Sequence, residues 1–325
     1  MSNSVIHPPR LQPGDRGAVV SPSGTVAEQV AAVDGARRAL EVALDLQLRY
    51  SPHALGTHFY SSGTAQERSD DLAAAFADPE TKAIFLSIGG ATAIDLVDRI
   101  DYREITNNPK IVAGISDSST ILNSITAVTG LVTFHGFEML DFARYPMSYT
   151  AESMRRVLFD GWFGGYSPNS DWRDLDAEVT TYRGWRAIKP GIAEGSLVGG
   201  NSEALMQILG TEFGPSLDGK LLLLETYRFQ KRHIHAALTQ LRIRGVFGAI
   251  SGLVLGYCLG SDSPGTGNER DLSEIVAEVT DGFGFPVVQV GEIGHQVENL
   301  IMPLGASVRI STDPVALHLL EPAVS

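Results

Sequence analysis

Three residues in this chain have the types and settings that nucleophilic acyl transfer requires. Ser116 stands in Gly114-Ile115-Ser116-Asp117, directly after a short apolar run and at the opening of a helix-like stretch. A serine on a tight strand-to-helix turn gains exposure. The amides that open the helix behind it can hold a developing oxyanion. The turn follows the logic of a nucleophile elbow without its Gly-x-Ser-x-Gly signature, because Ser118 occupies the last position. A plain helix-capping serine accounts for the same tetrapeptide. Glu225 ends the run Leu-Leu-Leu-Leu, and His295 follows another apolar run in Gly-Glu-Ile-Gly-His. A serine hydroxyl needs a base to take its proton, and the base needs a carboxylate to fix its tautomer. Glu225 and His295 supply those groups if their strands converge. Taken singly, each also reads as an ordinary strand-end charge or turn histidine.

Other residues invite weaker readings. Gly89-Gly90 sits between an apolar run and a helical pattern, which suits a phosphate-cradling turn, a backbone donor to an oxyanion, or simple close approach of backbones. No Gly-Lys-Ser/Thr and no full Gly-x-Gly-x-x-Gly follows, so no nucleotide cofactor is expected. His233 and His235 are two apart in a helical stretch, which points their rings away from each other, and no metal site is expected. Trp185, in a polar stretch, is either an interface plug or a flat surface for a ligand ring. Cys258, the single cysteine, lies in Gly-Leu-Val-Leu-Gly-Tyr-Cys, which reads as a buried strand with a packing role for the thiol.

These residues must be positioned by the elements around them. The first third of the chain alternates short apolar runs at 17–20, 83–88 and 111–114 with helical patterns at 26–46, 66 onward, 91–100 and 119–129. Strands apolar on both faces, alternating with helices, predict a mostly parallel sheet covered by helices, of Rossmann or flavodoxin-like type. In such sheets the ligand site lies beyond the carboxyl ends of the strands, where the turns after Ile88 and Ala113 fall. Residues 145–185 show no clear period and read as a connection. The remainder reads as a second α/β domain with a β-rich core: strands at 221–225, 250–255 and 286–290, helices at 202–209, 235–241 and 272–279, and short strands within 294–311. The expected division is an N-terminal domain 1–165 carrying the serine, a linker 166–185, and a C-terminal domain 186–325 carrying the acid and base.

Length and composition agree with two ordinary domains. The chain has 325 residues, of which 43% are hydrophobic and 19% charged, enough for a sizeable core. Its formal net charge of −13 opposes binding to nucleic acid polymers or anionic membranes, and no basic run appears. One cysteine permits no intramolecular disulfide. No apolar stretch approaches a membrane span and the first ten residues lack a signal-peptide core, so a cytoplasmic location is expected.

Several motifs in order resemble the LD-carboxypeptidase family of serine peptidases (family S66), whose members include microcin C immunity proteins. They are Leu-Gln-Pro-Gly-Asp at 11–15, the stretch 75–84 before Gly89-Gly90, and Ile-Asp-Tyr at 100–102. They continue with Asn-Pro-Lys-Ile-Val-Ala-Gly-Ile before Ser116-Asp117, Thr-Gly-Leu-Val-Thr-Phe-His-Gly at 129–136, and Gly199-Gly200-Asn201. Glu225 and Gly294-His295 before Met-Pro-Leu-Gly complete the set. The resemblance implies a Ser116–Glu225–His295 triad, an oxyanion hole from the backbone N–H groups of Gly90 and Asp117, no metal or cofactor, and a homodimer. Gly89, Trp185 and Asn201 fall to the substrate side. Two substrates are implied by different branches. Murein-recycling members release D-alanine from a tetrapeptide, whereas immunity members cleave the amide of aminoacyl-nucleotide conjugates, with a tryptophan stacked on the base. The Ser-Ile-Gly-Gly turn and Trp185 resemble the immunity branch. Ala91-Thr92 and Thr226-Tyr227 depart from both. A catalytically silent small-molecule binding protein of the same fold is the reading from another class.

Overall fold

A computed structural model describes residues 4–176, 184–263 and 269–325. Strands in the first half are β1 (Arg16–Val20), β2 (Gln47–Tyr50), β3 (Thr81–Leu86), β4 (Ile111–Gly114), β5 (Thr133–His135) and β6 (Gly164–Gly165). Those of the second half are β7 (Arg186–Lys189), β8 (Ile192–Asn201), β9 (Leu221–Thr226), β10 (Gly252–Cys258), β11 (Val287–Gln289), β12 (Met302–Leu304), β13 (Ser307–Thr312) and β14 (Val315–Leu319). Among the described residues they form a six-stranded sheet in the order β12-β5-β4-β3-β1-β2 and an eight-stranded sheet in the order β6-β14-β13-β8-β9-β10-β11-β7. The fold is α/β in both parts, as expected. β1 to β5 run parallel, and so do β8 to β11. The strands buried on both faces, such as Ile-Val-Ala-Gly in β4 and Leu-Leu-Leu-Leu-Glu-Thr in β9, are the continuous apolar runs that a covered parallel sheet demands.

Helices α1 (Val30–Leu44), α2 (Ala65–Ala77), α3 (Tyr102–Asn107) and α4 (Ser118–Thr129) cover the first sheet. Three of their ends have a clear local cause. A reciprocal Thr64/Glu67 capping box opens α2, the Asp101 carboxylate accepts from two amides at the head of α3, and Gly130 ends α4 in the left-handed conformation. Then come α5 (Asp141–Arg144), α6 (Ser148–Met154), α7 (Ser202–Ile208), α8 (Lys231–Ile243), α9 (Val246–Ala249) and α10 (Leu272–Val279).

Two stretches differ from the sequence expectation. Residues 91–100 form only a 3-10 turn at Ala93–Leu96, because tertiary partners claim the backbone there. The Thr92 amide donates to Ser23 Oγ at 3.2 Å, the Ala93 amide to Asp117 Oδ2 at 2.8 Å, and the Thr92 carbonyl accepts from Arg68 at 2.9 Å. Residues 148–159, read as irregular, are helical instead, with α6 running on into a wider turn at Arg155–Phe159. Its inner face carries Thr150, Ser153, Met154, Val157 and Leu158 at helical spacing. The two hydroxyls on that face accept from the amides of Asn299 and Ile301, at 2.7 and 2.8 Å, so polar residues stand at core positions and blur the period.

The two sheets are not separable by one cut in the chain. β12, from the second half, pairs antiparallel with β5 and completes the first sheet, while β6, from the first half, pairs with β14 at the edge of the second. One apolar cluster contains Val20, Ile84 and Phe134 together with Leu197, Leu223 and Ile310. Between the sheets α4 packs on α7 and β8. There the Asn123 side chain donates to the Gly199 carbonyl at 2.8 Å and accepts from its amide at 2.9 Å, both groups buried. Such a doubly satisfied buried amide fixes register as well as distance. Residues 177–183, within the expected linker, lie outside the described residues. Residues 166–176 pack on the second half, with the Trp172 indole donating to the Gly291 carbonyl at 2.8 Å. Cys258 is fully buried on β10. Among the described residues no helix is long and apolar enough to cross a membrane.

Candidate active site

Ser116 stands between β4 and α4 with φ +64°, in the left-handed region that a serine rarely adopts. Such strain persists only where the surroundings impose it. Here they do. The carboxylate of the following residue, Asp117, accepts from Ser23 Oγ at 2.5 Å and from the Ala93 amide at 2.8 Å, pinning the turn to two neighbouring strand-end loops. Asp117 is thereby buried at the head of α4, and its backbone amide belongs to that helix's first turn.

Gly89 and Gly90 close over the serine from the end of β3. A Cβ on Gly89 would stand 2.5 Å from Ser116 Oγ and 2.6 Å from Ser116 Cβ. Gly90 has φ +155°, and a Cβ there would meet the Gly24 amide at 2.7 Å. The turn therefore has no room for side chains, and its backbone comes within contact distance of the hydroxyl. Gly89→Ala is expected to leave folding intact, since its own backbone is not left-handed, but to displace the serine. A shift of this size costs roughly 10²-fold in kcat/KM. Steady-state kinetics beside a thermal melt checks it, and unchanged turnover would refute a close approach of this backbone to the reacting hydroxyl.

Glu225 and His295 converge from the second sheet. His295 Nδ1 lies 2.7 Å from Glu225 Oε2, with the carboxylate fully buried and the imidazole nearly so. Burial penalises both charges, but their mutual attraction prevails: the Glu225 pKa is lowered and that of His295 raised. Asn201 stands opposite Glu225 in the β8/β9 register, and its amide also favours the ionised carboxylate. The Asn201 Oδ1 accepts from the Ala204 amide at 3.2 Å as the cap of α7. The other imidazole nitrogen, His295 Nε2, is buried and has no hydrogen-bond partner among the described residues. An imidazole whose Nδ1 proton is held by a carboxylate presents Nε2 as a proton acceptor.

Ser116, Gly89, Gly90 and His295 line one cavity of about 500 Å³, within the range of small-molecule sites. Its wall also includes Tyr227 and three charged residues that carry no sequence expectation, Glu138, Asp141 and Arg144. The Tyr227 ring sits 4.8 Å from the His295 ring, tilted by 43°. Glu138 and Asp141 follow β5, and their position beyond the carboxyl end of a parallel strand, the same edge that bears Ser116 and Gly89, is the signal that could have marked them. Burial raises their pKa values, to about 8 for Glu138 and about 6 for Asp141. His135, the last residue of β5, is fully buried with a pKa pushed by burial to about 4, so it is neutral.

Trp185 does not join this lining. It is half-buried against the core, and its indole donates to Glu292 Oε2 at 2.5 Å. His233 and His235 take separate neighbours, Phe229 and Arg270. Among the described residues no group of three or more side chains is placed to hold a metal ion.

Comparison with known proteins places this geometry in context. A family model described as the LD-carboxypeptidase N-terminal domain matches residues 18–136, and one described as the LD-carboxypeptidase C-terminal domain matches residues 194–310. The microcin C7 self-immunity protein MccF of Escherichia coli is 30% identical over 288 residues, covering 83% of this chain and 82% of the relative. A probable murein peptide carboxypeptidase of Bacillus subtilis is 30% identical over 309 residues, covering 94% and 91%. A solved structure of MccF in complex with aspartyl sulfamoyl adenosine superposes with a TM-score of 0.89 at 27% identity, over 98% of this chain and all of the other, a coverage of 100%.

Proposed function

Because this chain belongs to the LD-carboxypeptidase family of serine peptidases, we propose that it hydrolyses the amide of aminoacyl-nucleotide conjugates with a Ser116–His295–Glu225 triad. The observation that carries the mechanism is the buried 2.7 Å Glu225–His295 pair, whose free Nε2 belongs to a residue sharing one cavity wall with Ser116. His295 takes the Ser116 proton as Oγ attacks the amide carbonyl, and Glu225 stabilises the imidazolium that forms. The amides of Gly90 and Asp117 hold the tetrahedral oxyanion. His295 then returns the proton to the leaving nitrogen, and water releases the acyl group by the same steps. No metal or cofactor enters this scheme. Action in the cytoplasm, as a homodimer, extends the same family reading.

The choice of substrate rests on the MccF structure with an aminoacyl sulfamoyl nucleotide, which superposes along nearly the whole chain. The Bacillus subtilis relative, 30% identical over 94% of this chain, favours a second reading: release of the terminal D-alanine from a murein tetrapeptide. Turnover of an aminoacyl sulfamoyl adenosine and of that tetrapeptide, measured in parallel, separates them. The expected result is cleavage of the nucleotide conjugate with kcat/KM at least tenfold higher. A preference for the tetrapeptide assigns the chain to cell-wall recycling, and cleavage of neither points to a silent binding protein.

A further inference from the structure

The proposed mechanism uses neither Glu138 nor Asp141, yet both face the cavity that Ser116 and His295 line. Asp141 is 6% exposed. Neither carboxyl group has a hydrogen bond or ion pair with any described residue; each feels only burial and the charges around it. The two carboxyls repel each other, Asp176 and Glu225 add to the repulsion, and only His295 and Arg144 oppose it. Arg144 is an exposed side chain of the wall, its guanidinium donating to Gln29 at 3.2 Å rather than to either acid. Two unpartnered carboxyls in a concave wall, one on buried Asp141 and one on half-buried Glu138, leave a place that a cation can take, because a partly desolvated charge without a partner is costly and a ligand can supply the missing one.

We propose that Glu138 and Asp141 form an ammonium-binding subsite beside the Ser116–His295 centre, so that the enzyme selects substrates carrying a free amino group on the acyl side of the scissile amide. Between them the two groups hold about one negative charge at neutral pH, since Asp141 ionises well below Glu138. One ammonium matches that charge, and the three N–H donors of a primary amine suit two acceptors on adjoining turns of chain. An acyl group whose amine is blocked brings neither the charge nor the donors.

The inference rests on the active-site reading above, and binding separates the two. In Ser116→Ala protein, which holds substrate without turning it over, calorimetry compares alanyl sulfamoyl adenosine with its N-acetyl form. Alanyl is chosen because the ammonium is then the only charge on the acyl side. The free amine should bind at least tenfold more tightly, and Asp141→Asn or Glu138→Gln in the same background should reduce that ratio fivefold or more. Equal affinity for the two compounds, or no binding of either, overturns the subsite. Because the comparison is made first on the unaltered pocket, a variant that fails to fold does not decide it. If the two carboxyls act only by tuning His295, the variants lower turnover of both compounds in wild-type background alike and leave the ratio unmoved, which also overturns it. Amine preference without turnover in wild-type protein refutes the nucleotide-conjugate reading and leaves the subsite standing; turnover without preference does the reverse.

Discussion

Ser116→Ala is expected to lower kcat for the cleaved amide by a factor on the order of 10⁴ to 10⁶, with ligand binding and the thermal midpoint nearly unchanged. The size of the loss follows from cooperation: once the nucleophile is gone, the His295–Glu225 pair has no proton to take, and only the oxyanion donors remain. Stability is spared for a local reason. The Ser116 hydroxyl is not what pins the turn; Ser23, Asp117 and the Ala93 amide do that, through bonds of 2.5 and 2.8 Å. Alanine can keep the left-handed backbone that those bonds impose at about the same strain as serine. Rapid-quench or chromatographic assay of product checks the rate, and calorimetry with intact substrate checks binding. Residual activity within tenfold of wild type would move the nucleophile elsewhere on the cavity wall.

Glu225→Gln should cost about 10⁴-fold in kcat while keeping the shape of the site, because an amide can present the wrong tautomer-directing group to His295 Nδ1. It should also move the acid limb of the pH–rate profile. In wild-type protein the carboxylate outweighs burial and raises the His295 pKa, so activity is expected to fall as pH drops through a value above the ordinary imidazole 6.5. Without the carboxylate, burial is opposed only by the smaller pull of Glu138 and Asp141, and the limb shifts to lower pH. A profile of kcat/KM from pH 5 to 9 reads both features. An unshifted limb would show that the titrating group is not His295.

Much of this arrangement is legible in the sequence, for identifiable reasons. Parallel strands buried on both faces advertise themselves as unbroken apolar runs, and each catalytic candidate stands at or just past the end of one. The two misread stretches share a cause in tertiary hydrogen bonding. Residues 91–100 have a helical pattern, but Ser23, Arg68 and Asp117 bind their backbone groups and leave a single 3-10 turn. Thr150 and Ser153 hide a helix by serving amides of a distant segment. Glu138 and Asp141 read as ordinary polar residues until β5 is placed beside β4, since nothing in a linear pattern reports that two carboxyls will share one wall. Trp185, read as either an interface plug or a surface for a ligand ring, has its indole N–H bonded to Glu292.

The reciprocal exchange of edge strands, β12 to the first sheet and β6 to the second, bears on how this protein can diversify. A crossover between relatives anywhere after β6 and before β12 brings together a sheet and an outer strand with separate histories, on both sides of the molecule at once. Nucleophile and base thus cannot be shuffled as independent cassettes. New specificity has to come from point changes on the strand-end loops at the cavity rather than from exchange of whole halves.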